Sequence, residues 1–272
     1  MRSFIRWAGS KRLSLPHLKP YLRKITGRYI EPFAGSCCIF FEMEPQSAIL
    51  GDLNSELITT MKAVRRDVYR VLECVRRLPK GEKAYYRIRE SRIEDLSDAE
   101  LAARFLYLNR YCFNGLYRTN RAGKFNVPYG PPRRSRPPGI DEQLVVAASR
   151  LLQRATLING DFEATMREAE KGDLVYLDPP YATLKTRVFT EYLPNSFSNV
   201  DLDRLKQALL RLDQEGVSFV ISYGDTPEAI ELLSDWNPVR MPTRRNIAGF
   251  AGHRKIAYEW VATNSPEAAD GH

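Results

Sequence analysis

Two short apolar segments near the N-terminus constrain the fold more than any other feature of the sequence. Residues 27–33 (GRYIEPF) and 47–52 (SAILGD) have the composition of buried strands, and the residues between them, up to Glu44, have a helical pattern. Two strands separated by one helix within about 30 residues form a βαβ unit. Such a unit requires a parallel sheet with a right-handed crossover, so we predict an α/β fold.

Strands followed by helical or loop segments recur in the C-terminal half of the chain. We predict strands at residues 156–160, 173–178 and 218–223. Residues 238–241 and 255–262 are predicted to close the sheet as an antiparallel pair at its edge. The chain has 272 residues, of which 43% are hydrophobic, and this is enough for a Rossmann-like sheet with helices on both faces.

The middle of the chain has a different pattern. A helix at residues 56–66, capped by Asn54 or Ser55, is followed by three amphipathic helices with no strand between them. These helices are predicted at residues 67–78, 82–93 and 98–111, and the next segment, 113–139, is rich in Gly, Pro, Asn and Arg with a hairpin-like turn at 121–124. We therefore predict a mostly helical domain with a β-hairpin at residues 56–153, inserted into a sheet domain formed by residues 1–55 and 154–264.

Two other segments have no periodic pattern. Residues 181–198 are predicted to form a polar loop long enough to cover a site. Residues 265–272 are small and polar and are predicted to be a disordered tail.

The positive charge is concentrated in the middle of the chain. The net charge is +8, and residues 56–160 hold 21 Lys and Arg against 11 Asp and Glu. Residues 101–140 contain eight basic residues and no acid, interleaved with aromatic residues at positions 105, 107, 111, 113, 117, 125 and 129. Basic side chains neutralise phosphates and aromatic rings stack on bases, so this segment predicts a nucleic-acid surface. The alternative is a solvated basic face with core aromatic residues.

Other classes of protein are disfavoured. The sequence has no run of about 18 apolar residues and no charged-then-apolar leader, so we expect neither a membrane protein nor a secreted one. Its four cysteines include no CxxC pair, and the adjacent Cys37 and Cys38 are poor disulfide partners, which favours a reduced cytosolic setting. None of the three histidines lies at ligand spacing from a cysteine, so no metal is expected.

Acidic residues or small-residue turns follow the predicted strands. Asp52 and Asp178 each end a strand, while the turn at residues 31–35 (EPFAG) and the pair Asp161-Phe162 follow two others. The carboxyl ends of parallel strands meet at one edge of the sheet, where ligands bind, so we predict a cofactor crevice there. Asp52 lies about 20 residues beyond a glycine turn and suits a ribose diol, or alternatively caps a helix. No Walker A sequence is present, which favours a zwitterionic or cationic nucleoside cofactor over a nucleoside triphosphate.

The strongest local signal is the tetrapeptide Asp178-Pro179-Pro180-Tyr181. The prolines fix the backbone and remove two amide donors, which leaves rigid carbonyls exposed. A carboxylate beside a rigid carbonyl can accept both hydrogens of an amino group, and Tyr181 can cover the face of a planar ring. We interpret the tetrapeptide as a device that holds an exocyclic amine. The alternative is a proline-terminated strand followed by a surface tyrosine.

Five separated motifs together resemble the Dam-type family of DNA adenine-N6 methyltransferases. They are RWAGSK at residues 6–11, EPFAGS at 31–36, FNGLYRTNRAGKFNVPYG at 113–130, NGDF at 159–162 and DPPY at 178–181. The resemblance covers nearly the whole chain in the family's order. Two departures stand out: Cys37 replaces a further glycine that often follows FAGS, and Pro131-Pro132 follows PYG where close relatives carry basic and aromatic residues.

The resemblance implies a fold, a cofactor and a substrate. The fold is the class I methyltransferase fold, the methyl donor is S-adenosylmethionine, and the substrate is adenine in double-stranded DNA, in a GATC-like site. The implied catalytic residues are Asp178, Pro179, Pro180 and Tyr181. The implied cofactor-binding residues are Trp7, Ala8, Gly9, Lys11, Glu31, Pro32, Phe33, Ala34, Gly35, Asp52, Asp161, Phe162 and Asp178. The implied DNA-binding residues are Arg6, Asn114, Leu116, Arg118, Asn120, Arg121, Lys124, Asn126, Pro128, Arg133 and Arg134.

The residues by themselves leave two alternatives. The amine-holding device also suits a methyltransferase that acts on RNA or on cytosine N4, since it requires only an exocyclic amino group. A non-catalytic DNA-binding module that kept the fold is the second alternative. For the implied enzyme we expect a cytoplasmic protein encoded by a bacterium or a phage and monomeric in solution, with room for more than one copy on one DNA.

Overall fold

The sheet places the five parallel strands together and the antiparallel pair at one edge. The structure is a computed structural model that describes residues 1–22, 25–120, 122–130, 139–181, 197–243 and 257–265. Its strands are β1 (Tyr29–Glu31), β2 (Ala48–Asp52), β3 (Ala155–Asn159), β4 (Leu174–Leu177), β5 (Ser218–Gly224), β6 (Val239–Thr243) and β7 (Ala257–Thr263). They form one sheet in the order β3-β2-β1-β4-β5-β7-β6, in which β7 is antiparallel to both β5 and β6. The predicted α/β sheet with an antiparallel edge is confirmed.

Helices cover both faces of this sheet. They are α1 (Leu15–Leu18), α2 (Cys38–Met43), α3 (Ser55–Arg66), α4 (Val68–Arg77), α5 (Glu82–Glu90), α6 (Asp98–Tyr111), α7 (Glu142–Leu152), α8 (Phe162–Met166), α9 (Asn199–Gln214) and α10 (Pro227–Leu233). Short 3₁₀ turns lie at Lys11–Leu13, Lys19–Leu22, Phe113–Gly115 and Ser234–Trp236. Among the described helices, none is long and apolar enough to cross a membrane.

The strands send alternate side chains into two separate cores. Tyr29 and Tyr176 face a core shared with α2, α3 and α7, whereas Ile30 and Val175 face a second core shared with α8, α9 and α10. Successive residues of a strand point to opposite faces, so a strand that is buried on both sides is apolar throughout. All four residues of β4 are buried for this reason. The central position of β4 fixes its carboxyl end in the middle of the ligand-binding edge.

The helical segment between α3 and α7 follows the predicted order. Asn54 caps α3 by accepting a hydrogen bond from the Leu57 amide, and a capping box of Ser97 and Glu100 begins α6. Helix α5 ends at Glu90, three residues earlier than predicted, where the Ser91 hydroxyl donates to the Ile88 carbonyl. Helix α3 packs against α6 and α7 as well as against the sheet, and it therefore connects the helical segment to the strands.

The predicted hairpin is present as two isolated antiparallel bridges. Cys112 pairs with Tyr129, and Thr119 pairs with Phe125. The segment has a small aromatic core of its own, formed with α5 and α6 by Tyr85, Tyr107, Leu108, Cys112, Phe125 and Val127. Several predicted features lie outside the described residues: positions 182–196 of the covering loop, Arg121, Arg133 and Arg134, and positions 266–272 of the tail.

Candidate active site

Asp178 follows β4 at the centre of the carboxyl edge of the sheet. Its Oδ1 lies 2.9 Å from the Lys11 ammonium and 3.5 Å from the Ser222 hydroxyl, which donates to it. Tyr176 shares a hydrogen bond with Ser222 beneath this contact. Burial raises the pKa of Asp178, and the attraction of Lys11 opposes that rise. The site thus holds a half-buried carboxylate against one cation.

Lys11 is the buried cation of the site. Its side chain is only 5% exposed, and its ammonium contacts Asp178 Oδ1 at 2.9 Å and Glu259 Oε1 at 3.0 Å. Burial by itself lowers the pKa of Lys11, but Asp178, Tyr181 and Glu259 outweigh that effect and raise the pKa above its ordinary value. Lys11 therefore stays charged and joins β4 to β7.

Tyr181 follows Asp178 by three residues, and its ring packs against the end of β5. Its hydroxyl donates to Glu259 Oε1 at 3.3 Å, and its ring packs edge-to-face on Tyr223 with centroids 5.5 Å apart. A Cβ at Gly224 would lie 2.9 Å from a carbon of the Tyr181 ring. Glycine at this position lets the ring lie against the end of the strand.

The EPFAG turn and Asp52 are tied together by backbone hydrogen bonds. Asp52 accepts from the Gly35 amide through Oδ2 and from the Asn54 amide through Oδ1, both at 2.8 Å. Gly35 has a φ of +47°, and a Cβ there would lie 3.0 Å from the Trp7 indole. Burial raises the pKa of Asp52, and the two amide hydrogen bonds oppose that rise. A carboxylate has about four acceptor positions, so Asp52 retains capacity for a ligand.

Glu31 is a buried acid next to this turn. Its side-chain Oε2 is buried and has no hydrogen-bond partner among the described residues. Burial, and then the negative charge of Asp178, raise the pKa of Glu31 well above its ordinary value. An unsatisfied buried acceptor is costly, so this oxygen fits a ligand that brings a donor, such as an ammonium group.

Asp161 and Phe162 form a second part of the crevice, after β3. Asp161 caps α8 through Oδ1 and pairs there with Arg204 at 2.7 Å. The Phe162 ring stacks on Phe33 with centroids 5.2 Å apart and an interplanar angle of 25°. The Arg204 guanidinium lies over the Phe162 ring, with its central carbon 4.9 Å from the ring centroid. These residues give an apolar wall with an acceptor at its edge.

The N-terminal RWAGSK motif joins the crevice to the helical segment. Trp7 stacks on Tyr117 with centroids 5.4 Å apart, and the exposed Gly9 has a φ of +82°. The Arg6 amide donates to the Asn109 side chain at 2.9 Å, and the Arg6 guanidinium donates to the Arg110 carbonyl at 3.0 Å. The motif therefore connects Lys11 to the end of α6, with Ala8 exposed between them.

Several predicted DNA-binding residues lie in the hairpin-like segment, where Arg118, Asn120 and Lys124 are exposed. Arg6 lies outside this segment and is half-buried. The Arg118 Nε donates to Asn126 at 2.8 Å, while Asn120 accepts from the Ala122 and Lys124 amides at 3.0 Å and so shapes the turn. Asn114 and Pro128 are exposed and Leu116 is half-buried, and Asn114 has a φ of +54°. Most of these groups are therefore accessible from solvent.

Sequence reasoning did not single out three side chains of the site. Glu259 is buried on β7 and contacts both Lys11 and Tyr181. Tyr117 stacks on Trp7 and donates to Glu56, and Ser222 lies between Tyr176 and Asp178. An acid inside the apolar closing strand (KIAYEWVA) is the sequence signal that could have identified Glu259.

Comparison with known proteins decides the family. The sequence pattern of the D12 class of N6 adenine-specific DNA methyltransferases matches residues 7–247. The chain belongs to this family. It is 37% identical to the type II methyltransferase M1.LlaDCHI of Lactococcus lactis subsp. cremoris, over 97% of this chain and 95% of that protein. It is also 34% identical to the type II methyltransferase M.MjaIII of Methanocaldococcus jannaschii (82% and 84% covered) and 34% identical to the DNA adenine methylase of Salmonella typhi (98% and 97% covered).

Membership makes this chain an adenine-specific DNA methyltransferase with a class I fold, as the motifs predicted. The family implies S-adenosylmethionine as methyl donor and DNA as substrate. The residues of the crevice fit that donor: Glu31 offers an unpaired buried acceptor for its amino group, and the glycine turn at Gly35 permits close approach. Among the described residues, no group of three or more His, Cys, Asp and Glu side chains is placed to hold a metal ion.

Proposed function

We propose that this methyltransferase modifies N6 of an adenine flipped out of double-stranded DNA, and that Asp178-Pro179-Pro180-Tyr181 holds the adenine amino group. N6 cannot be reached while the base is stacked and paired, so the base must leave the helix. The observation that supports the proposal is the position of this tetrapeptide after the central strand, with Asp178 and Tyr181 both contacting the Lys11–Glu259 pair.

In this proposal Asp178 positions the amine rather than acting as a strong base. Lys11 and Ser222 both contact Oδ1, so we assign one amine hydrogen to Oδ2 and the other to the Pro179 carbonyl. Accepting both hydrogens keeps the nitrogen lone pair available and fixes its direction. Hydrogen bonds to charged groups contribute about 1.5–3 kcal/mol each, and positioning adds more, before any proton is moved. Tyr181 covers the face of the adenine ring.

The cofactor residues are proposed to act as the crevice suggests. When bound, S-adenosylmethionine supplies an electrophilic methyl group on a positively charged sulfur. Asp52 accepts hydrogen bonds from the ribose hydroxyls, and Asp161 with Phe162 and Phe33 binds the adenine of the cofactor. The methionyl end is bound by the residues that precede α1 and by the EPFAG turn: Trp7, Ala8, Gly9, Lys11, Glu31, Pro32, Ala34 and Gly35.

Residues 56–153 are proposed to form the target-recognition domain. Arg118 and Arg6 present guanidinium groups of the kind that read guanine in the major groove, which favours a GATC-like site. Asn114 and Leu116 are proposed to contact the opened duplex at the flipped base. Asn120, Lys124, Asn126 and Pro128, together with Arg121, Arg133 and Arg134, are proposed to complete the DNA-binding surface. We propose a cytoplasmic enzyme that is monomeric in solution and acts on a bacterial or phage genome.

A methyl-transfer assay tests this function. Tritiated S-adenosylmethionine is offered with double-stranded DNA, single-stranded DNA or RNA, and we expect label in adenine of the duplex. Label in RNA or in cytosine would establish the alternative enzyme, and no label together with no cofactor binding by calorimetry would establish a non-catalytic module. We call Asp178-Pro179-Pro180-Tyr181 the amine clamp, and wild-type transfer by Asp178→Ala would overturn its assigned role. Single-molecule sequencing of DNA from cells that express the enzyme identifies the modified site.

A further inference from the structure

Glu259 is a buried acid that the proposed reaction leaves without a role. It lies on β7 opposite Gly224 of β5 and is 5% exposed, although acids are almost never fully buried unless they are paired. Its Oε1 lies 3.0 Å from the Lys11 ammonium and accepts a hydrogen bond from the Tyr181 hydroxyl at 3.3 Å. One carboxylate oxygen therefore contacts both Lys11 and Tyr181.

These contacts bridge the parts of the amine clamp. Lys11 also contacts Asp178 Oδ1 at 2.9 Å, and Tyr181 follows Asp178 by three residues. Since Glu259 belongs to a different strand, its position does not depend on the conformation of the two prolines. A displacement of Tyr181 or of Lys11 by about 1 Å is enough to cost a reaction up to about 100-fold in rate.

Glu259 also competes with Asp178 for the Lys11 ammonium. With two carboxylates against one ammonium, Asp178 keeps part of its negative charge for an incoming amine. Without Glu259, Lys11 would pair with Asp178 alone. The other titratable and polar groups around this pair come from every neighbouring element: Glu31 on β1, Cys38 on α2, Tyr176 on β4, Tyr181 after β4 and Ser222 on β5.

We propose that Glu259 is a positioning residue for methyl transfer. It fixes the orientation of Tyr181, and it competes with Asp178 for the Lys11 ammonium and so weakens the attraction between Lys11 and Asp178. This inference rests on the proposed roles of Asp178 and Tyr181. Glu259 does not touch the substrate, and it acts through the two side chains that it contacts.

Two substitutions of Glu259 separate the effect of its charge from the effect of its side-chain length. Glu259→Gln keeps the size of the side chain and removes the charge, and we expect kcat to fall about 10- to 100-fold. The Kd for S-adenosylhomocysteine, measured by calorimetry, is not expected to weaken, because Lys11 is retained. Removing a negative charge next to Asp178 lowers its pKa, so the acid limb of the kcat–pH profile moves to lower pH. Glu259→Asp keeps the charge and shortens the side chain, so kcat falls while the acid limb stays in place.

The matched control is Asp225→Asn. Asp225 follows Gly224 and pairs with Arg240 at 2.6 Å on the surface, so this variant removes a nearby carboxylate without touching Lys11 or Tyr181. We expect its kcat and its pH profile to equal those of the wild type. Thermal unfolding of each variant shows whether it is folded. If Glu259→Gln does not fold, the kcat of Glu259→Asp decides, and a wild-type value overturns the inference.

The outcomes distinguish this inference from the proposed function. If the wild-type enzyme does not methylate double-stranded DNA, the proposed function fails, and the inference fails with it. If the wild type is active and Glu259→Gln has the same kcat and the same acid limb, only the inference about Glu259 is overturned. Loss of cofactor binding in proportion to kcat would also overturn it, because that result indicates a general structural role.

Discussion

The two ends of β4 each carry an aspartate, and the two carboxylates have opposite environments. Asp173, before the strand, accepts hydrogen bonds from the Arg28 amide and guanidinium and from the Glu170 amide. Burial by itself raises the pKa of Asp173, but these hydrogen bonds outweigh it and lower the pKa below its ordinary value. Asp178, after the strand, shares one oxygen between Lys11 and Ser222, and burial raises its pKa.

The contrast separates a structural carboxylate, Asp173, from the one that we propose holds the adenine amine, Asp178. Both are the same residue type on one strand, yet only Asp173 is saturated with donors. A carboxylate that is already saturated stabilises the fold and has little left to offer a ligand. Asp178 is incompletely paired, which is typical of groups that bind or react. The four predictions below test this difference.

The largest expected effect is on transfer when Asp178 is replaced. Asp178→Asn removes the charge and turns one acceptor into a donor that faces the amine, so we expect kcat to fall by about 10²- to 10³-fold. The measurement is steady-state transfer of tritiated methyl to double-stranded DNA. Asp173→Asn is the matched control, and its kcat should stay within about twofold of the wild type. Equal losses in the two variants would contradict the contrast.

For stability the order of the two variants should be reversed, with Asp173→Asn more damaging than Asp178→Asn. Asp173→Asn removes the buried carboxylate that the Arg28 guanidinium contacts at 2.7 Å and leaves it the exposed Glu170 carboxylate at 3.6 Å. We expect the free energy of unfolding to fall by about 2–3 kcal/mol. Asp178→Asn should cost less, because Lys11 keeps Glu259 as a partner. Urea unfolding followed by circular dichroism gives both values. A larger loss in Asp178→Asn than in Asp173→Asn would show that both ends of β4 are structural.

Two glycines offer a second matched pair. A Cβ at Gly27 would lie 2.6 Å from Asp173 Oδ1, and a Cβ at Gly224 would lie 2.9 Å from the Tyr181 ring. Gly27→Ala should therefore lower the free energy of unfolding by about 1–3 kcal/mol with little effect on kcat. Gly224→Ala should displace the Tyr181 ring and lower kcat about tenfold. Urea unfolding and methyl transfer measured on both variants test the pair. An unchanged kcat in Gly224→Ala would contradict the claim that Gly224 fixes the position of the Tyr181 ring.

The smallest expected effects are the pH dependences of stability, which should have opposite signs. The pKa of Asp173 is lowered by folding, so its contribution to stability is present above the ordinary Asp pKa and is lost as the pH falls. The pKa of Asp178 is raised, so its contribution is present below the ordinary Asp pKa and is lost as the pH rises. Urea unfolding of the wild type and the two Asn variants between about pH 3.5 and 7 measures both differences. As the pH falls, the free energy of unfolding of the wild type should approach that of Asp173→Asn. Over the same range it should rise relative to that of Asp178→Asn. Parallel curves would contradict both signs.

The sequence predicted the strands because their signals are local. Each is a short apolar run with a turn or an acid at its end, and the observed bounds differ from the predicted ones by only a few residues. The βαβ unit then fixed which ends of the strands share an edge, so Asp52, Asp161 and Asp178 could be grouped before their distances were known. The hairpin-like segment was recognised from its turn residues. Within the described part of this segment the pairing consists of two isolated bridges, and its side chains pack with those of α5 and α6.

Pairings between distant residues could not be predicted in the same way. Lys11, Asp178 and Glu259 come from the N-terminus, the middle and the C-terminal strand, and no spacing rule connects them. The same holds for Trp7 on Tyr117 and for Arg204 on Asp161. These contacts depend on how the elements pack, and a lysine in the N-terminal segment gives no sign of which acid it will meet.

By itself, the sequence determined the order of the strands along the chain and the position of the acids at their ends, and it placed the tetrapeptide Asp178-Pro179-Pro180-Tyr181 after a buried strand. These follow from local periodicity and from the fixed handedness of a βαβ crossover. Only the tertiary structure decided that β7 lies beside β5 and brings Glu259 to Lys11 and Tyr181. It also decided that Asp173 is saturated by donors whereas Asp178 is not, because the whole fold places the donors around each carboxylate. The pKa of each carboxylate then depends on these donors, on its burial and on the neighbouring charges.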